Sequence, residues 1–103
     1  MKKSTLYIGL NDKDSKQQKI DTLEATKMCI NILTASGIDG ATVYNAMGIY
    51  KHDNGDIIVE NTLRIELIEA DESALKTAIN SIKIVLNQES IILQNEVIKS
   101  VML

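Results

Sequence analysis

The 103-residue sequence is long enough to bury one hydrophobic core and too short for two independently folding units. Its 45% hydrophobic content rests on sixteen isoleucines and ten leucines, with no Phe, no Trp and only Tyr7, Tyr44 and Tyr50, so branched aliphatics must fill the interior. A net charge of -3 lacks the basic excess that a phosphate backbone demands, which argues against nucleic acid as a partner.

In chain order, Leu6, Ile8 and Leu10 alternate with Thr5, Tyr7 and Gly9, the period of a half-buried strand over residues 4–10. Asn11-Asp12-Lys13-Asp14 has turn chemistry. Ser15 with Gln18 three residues later has the form of a capping box, predicting that the first helix starts there. Its stripe is Ile20, Leu23, Ile30 and Leu33 with Met28, Cys29 and Ile32 alongside, and Gly37 ends it. Residues 41–50 form a second strand, and Asn54-Gly55 predicts a tight hairpin turn of type I′ into a third strand over residues 56–69. Asp71-Glu72 opens a second helix whose apolar positions Leu75, Ala78, Ile79, Ile82 and Leu86 recur at three- and four-residue steps, and Asn87 closes it. Residues 90–103 read as a final strand or strand pair, with a bend or bulge at Gln94-Asn95-Glu96.

The order strand, helix, strand, strand, helix, strand predicts an α+β, ferredoxin-like βαββαβ fold in one domain over residues 1–103, with one antiparallel sheet packed on two helices. Such a fold leaves one sheet face open, here carrying Tyr7, Tyr44, Arg64 and Glu66. A third strand of about fourteen residues is more than twice the usual length. Either a bulge near Asn61 breaks it, or the hairpin projects with Ile57, Ile58 and Val59 and seeks a partner chain. The basic start at Met1-Lys2-Lys3 is followed by too short an apolar stretch for an export signal, and no segment has the length of a membrane span, so a cytoplasmic protein is expected. Cys29 is expected to be a buried small hydrophobe.

Ser36-Gly37-Ile38-Asp39-Gly40-Ala41-Thr42-Val43 followed by Gly48, and Leu63 to Ile68 followed by Asp71-Glu72, resemble the second and third strands and second helix of nitrogen-regulatory PII-like proteins. Thr42-Val43 through Gly48 and Tyr50, Glu60-Asn61-Thr62 and Gln88-Glu89-Ser90-Ile91 resemble the signature of a small, functionally uncharacterised bacterial family with a related domain. The resemblance implies a homo-oligomer, trimer before dimer, with small-molecule clefts between subunits and a signalling or regulatory role. Two departures matter. The target-binding loop of PII proteins is replaced by a short turn over residues 51–56. Their glycine-rich ATP loop is replaced by Asn87-Gln88-Glu89-Ser90, which lacks glycine and lysine, so ATP sensing of that kind is not expected.

Among candidate residues, the only histidine, His52, sits beside the turn and reads as a solvated loop residue, leaving a metal site conceivable only between copies. The only arginine, Arg64, reads first as an ion-pair partner of Glu66 and second as an anion clamp. Tyr44 and Tyr50 share strand parity and could wall a cleft. Asn45 is an amide among Val43, Met47 and Ile49 that would need a partner if buried, and Glu60 adjoins the expected bulge. Tyr44, Asn45, Tyr50, Glu60 and Arg64 therefore form the candidate ligand site, with no catalytic residue, metal or cofactor assigned. Lys13, Lys16 and Lys19 have helical spacing and read as a solvated helix face. Three functions compete: a non-enzymatic ligand-binding or regulatory oligomer, a small dimeric enzyme using a cavity near Tyr44 and Asn45, and a purely structural assembly module.

Overall fold

A computed structural model describes residues 1–103 and runs β1 (Lys2–Gly9), α1 (Thr22–Ala35), β2 (Thr42–Lys51), β3 (Ile57–Ile68), α2 (Glu72–Val85) and β4 (Ile92–Val97). The strands form one antiparallel sheet in the order β2-β3-β1-β4, the ferredoxin-like α+β arrangement predicted from the element order. Period-two alternation sends Leu6, Ile8, Leu63, Ile65 and Leu67 to one face, where Ala25, Cys29 and Leu33 of α1 and Leu75, Ala78 and Ile82 of α2 cover them. Each is at most 2% exposed. Burying a large aliphatic side chain contributes about 1.5–3 kcal/mol, so sheet and helices hold each other in place.

The first helix begins later than predicted. Asp12, rather than Ser15, organises the approach: its Oδ2 accepts the N–H groups of Asp14 and Ser15, both at 2.9 Å, and its carbonyl accepts Lys16 N–H at 2.9 Å. A short carboxylate that satisfies these donors locally competes with helix nucleation. The true N-cap is Asp21, which accepts Leu23 N–H. The buried stripe follows Ala25, Cys29 and Leu33, and this phase leaves Leu23 and Ile30 exposed. At the other helix ends the expected left-handed residues appear, Gly37 with φ 89° and Asn87 with φ 49°, each followed by an N–H that reaches back into the last turn.

The long third strand is not bulged. β1 pairs with β3 only as far as Gly9 opposite Thr62, while β2 and β3 stay in unbroken register from Thr42 opposite Glu66 to Lys51 opposite Ile57. The β2–β3 hairpin therefore projects past the sheet as a two-stranded arm and helps to draw the molecule out to 47 × 26 × 22 Å. Its turn differs from the predicted one. His52 carbonyl accepts Gly55 N–H, Asp56 carbonyl accepts His52 N–H, and only Gly55 has positive φ, the pattern of a type I turn closed by a glycine bulge. β4 is one continuous strand with no bend at residues 94–96, paired from Ile92 opposite Tyr7 to Val97 opposite Lys2. No helix is long and apolar enough to cross a membrane.

Candidate functional site

Tyr7, Tyr44 and Tyr50 all lie on the face that the helices leave open, as strand parity predicts. Tyr7, Arg64 and Tyr44 stand side by side across β1, β3 and β2, with the guanidinium carbon 5.0 Å from the Tyr44 ring centre and 6.0 Å from that of Tyr7. Glu66 gathers the polar groups of this face: it accepts Lys3 Nζ at 2.7 Å, Arg64 at 2.8 Å and Tyr44 hydroxyl at 2.7 Å. These partners hold its carboxyl below the usual range, Lys3 first and Tyr44 next, and the same contact raises the Tyr44 phenol. Arg64 is thus an ion-pair partner of Glu66, the first of its two readings.

A cleft opens where the arm leaves the sheet. Gly9 is opposite Thr62 and Gly48 is opposite Glu60, so two glycines flank the same stretch of β3. A Cβ on Gly48 would stand 2.9 Å from Thr62 Oγ1, and one on Gly9 would run into the Glu60 carboxylate. The missing side chains leave a trough, and Glu60 lies across Gly9 in it, with Oε2 accepting Asn11 N–H at 3.0 Å. Its Oε1 takes no hydrogen bond. The cleft above is about 500 Å³, walled on one side by Tyr50 and His52 of the arm and on the other by Lys13 and Lys16. The Tyr50 and His52 rings meet edge to face at 5.3 Å.

The lysine-bearing wall is fixed from below. Gln88 Nε2 donates to the Asn11 carbonyl at 2.9 Å, and Asn87 Nδ2 donates to Asp12 Oδ1 at 2.8 Å and to Asp14 Oδ2 at 2.9 Å. With Ser15 N–H as the largest influence and Asn87 next, the Asp12 carboxyl is held far below the ordinary carboxylate range. Asp12 is therefore a committed structural anion.

Of the five predicted site residues, Tyr50 and Glu60 meet in the cleft, and Tyr44 and Arg64 lie on the same face engaged with Glu66. Asn45 does not join them. It points to the helix side opposite Leu63, where neither helix reaches it, and is exposed rather than buried. His52, expected to be a solvated loop residue, is half-buried against Tyr50. Lys13 and Lys16 precede the helix and line the cleft instead of forming a helix face. The turn at Asn11 to Asp14 was expected, but its part in the cleft, and that of Gly9, escaped prediction; the one signal was a glycine inside an otherwise regular strand. No group of three or more His, Cys, Asp or Glu side chains could hold a metal ion within one chain.

The family described as "Protein of unknown function (DUF3574)" matches residues 3–99. Among curated proteins none matches significantly. Solved structures show the same fold at low identity. A phage SAM lyase in complex with S-methyl-5′-thioadenosine aligns at 20% identity with a TM-score of 0.72, covering 92% of this chain and 79% of that one. CutA1 from Pyrococcus horikoshii OT3 aligns at 15% and 0.61, covering 99% and 87%. The GlnK–ATP complex of B. subtilis aligns at 15% and 0.58, covering 93% and 84%. The fold is the PII-like ferredoxin fold that the resemblance implied.

Proposed function

We propose that this chain, which belongs to the DUF3574 family, is a non-enzymatic homo-oligomer that binds a small molecule in the cleft at Glu60 and serves a regulatory role in the cytoplasm. The observation that carries the reading is Glu60 itself. One carboxylate oxygen is fixed by a backbone N–H and the other is free, at the floor of a trough that exists because Gly9 and Gly48 have no side chains. A volume of about 500 Å³ is that of an ordinary metabolite site. One fold neighbour was solved with S-methyl-5′-thioadenosine and another with ATP, which makes ligands of that size reasonable on this scaffold.

The arm supplies the surface for assembly. Its helix-side face carries Met47, Ile49, Ile57 and Val59, each more than half exposed, on a hairpin that nothing in the protomer covers. A flat apolar hairpin of this kind is an aggregation site unless a second copy packs on it. A trimer is favoured over a dimer by the PII resemblance. Nucleic acid and membrane are not expected partners, given the net charge of -3.

Two measurements test the proposal together. Light scattering at micromolar concentration should give a multiple of the 11.4 kDa protomer mass. A thermal-shift screen of nucleotides, nucleosides including S-methyl-5′-thioadenosine, amino acids and divalent ions should find a ligand that raises Tm by several degrees, since a ligand at about 100 times its Kd stabilises by about 2.7 kcal/mol. Glu60→Gln should abolish that rise. A monomer would remove the assembly half of the proposal, and a ligand whose effect survives Glu60→Gln would remove the site.

A further inference from the structure

The floor and the loop wall of the cleft carry opposite charge. Glu60 on the floor has an oxygen with no partner. Lys13 and Lys16 on the loop wall make no salt bridge, which is equally true of Lys19, Lys27, Lys51, Lys83 and Lys99, but these two are the lysines that line the cleft. The other lining carboxylates are Asp12, an anion whose oxygens are already taken by Asp14 N–H, Ser15 N–H and Asn87, and Glu89; neither makes a salt bridge to Lys13 or Lys16.

The backbone that carries these lysines is held in place before any ligand arrives. Lys16 sits at φ 62°, a conformation that few residues with a side chain adopt. The contacts around it are its own N–H to the Asp12 carbonyl, the Asp12 turn, and the clasps from Asn87 and Gln88. A loop fixed in this way offers its charges at a smaller loss of freedom than a mobile one.

From these features we infer that the cleft selects a small zwitterion, its ammonium donated to Glu60 Oε1 and its carboxylate taken by Lys13 and Lys16, the pattern of a free α-amino acid. The side chain of such a ligand would lie toward Tyr50 and His52, which offer ring surface. The inference rests on the proposed reading of the cleft as a ligand site and adds the class of ligand.

Calorimetry on the full chain tests it with three matched probes: the tightest binder among the twenty common L-amino acids, its decarboxylated amine and its N-acetyl derivative. The amino acid should bind at least about tenfold more tightly than either, because each lacks one charge. Glu60→Gln should weaken the amino acid and the amine and spare the N-acetyl acid. The double variant Lys13→Gln/Lys16→Gln should weaken the amino acid and the N-acetyl acid and spare the amine. Both sets of side chains are at least partly solvent-facing, and retained circular dichroism will establish that the variants fold. An amine that binds as well as the amino acid, or a lysine variant without effect, overturns the inference. If no amino acid binds while a nucleotide does, and Glu60→Gln abolishes that binding, the zwitterion is wrong and the cleft stands. If the nucleotide binds the variant equally well, the cleft reading falls too.

Discussion

Gly9 and Glu60 share one volume of space: the carboxylate of Glu60 occupies the position that any side chain on Gly9 would fill. A Gly9→Ala change should therefore leave the strand intact, since the obstacle is the far end of a flexible side chain, and should push the carboxylate off Asn11 N–H. Hydrogen exchange at the Asn11 amide should accelerate at least about tenfold while the amides of Leu6 and Ile8 keep their protection. Unchanged protection at Asn11 would mean that the loop does not depend on Glu60.

Acid should weaken this fold through two identified carboxylates. Glu66 and Asp12 are both held below their ordinary values of 4.5 and 3.8, so their contributions are complete above those values and vanish as pH falls through the lower values of the folded state. Urea midpoints measured from pH 6 to pH 2 should fall, and Glu66→Gln should reduce the pH slope by the uptake of at most about one proton. A variant with the same slope as the parent would show that Lys3 and Tyr44 do not hold Glu66 in solution.

Cys29 should be silent toward thiol reagents. It is fully buried on the sheet-facing side of α1, and desolvation pushes its thiol up to about 11, so the thiolate is scarce and inaccessible together. Titration with a disulfide reagent at pH 8 should be at least about a hundredfold slower in buffer than in guanidinium chloride. Fast reaction in buffer would show that α1 opens readily.

The apolar side of the arm should control assembly without controlling the fold. Ile49 and Val59 are directly opposite each other and exposed, so Ile49→Lys with Val59→Lys removes no core contact. Sedimentation should show the double variant at protomer mass under conditions where the parent is larger, with the helical circular dichroism preserved. An unchanged sedimentation coefficient would place the contact elsewhere.

Much of the architecture was legible because alternation and three- or four-residue recurrence report directly on which side chains are buried. The strand set, the second helix with Leu75, Ala78 and Ile82, both helix C-terminal glycine-like residues and the three tyrosines on one face follow from that pattern alone. The first helix was misread because a capping box at Ser15 is a local signal, and Asp12 takes the Ser15 N–H that the Gln18 side chain would have to accept, together with that of Asp14. That single error also misplaced Lys13 and Lys16. Asn45 was misjudged for a different reason: parity gives the face of a strand residue but not how far the covering helices extend along it. The cleft was half legible. Tyr50 and Glu60 were visible as residues, while the trough beneath them exists only once β1 and β2 bring Gly9 and Gly48 to either side of β3.

The central place of β1 has a consequence for biosynthesis. β1 needs partners on both edges, and the later of these in the chain is β4, with Lys2 opposite Val97. Until residues 92–97 have been polymerised, β1 presents an unpaired edge, and the folding step that closes the sheet joins strands about ninety residues apart, the kind of distant pairing that folds slowly. A chain truncated before residue 92 would keep every residue of the buried core and both covering helices but leave the β1 edge open, so it should associate edge to edge with other copies rather than lose its core.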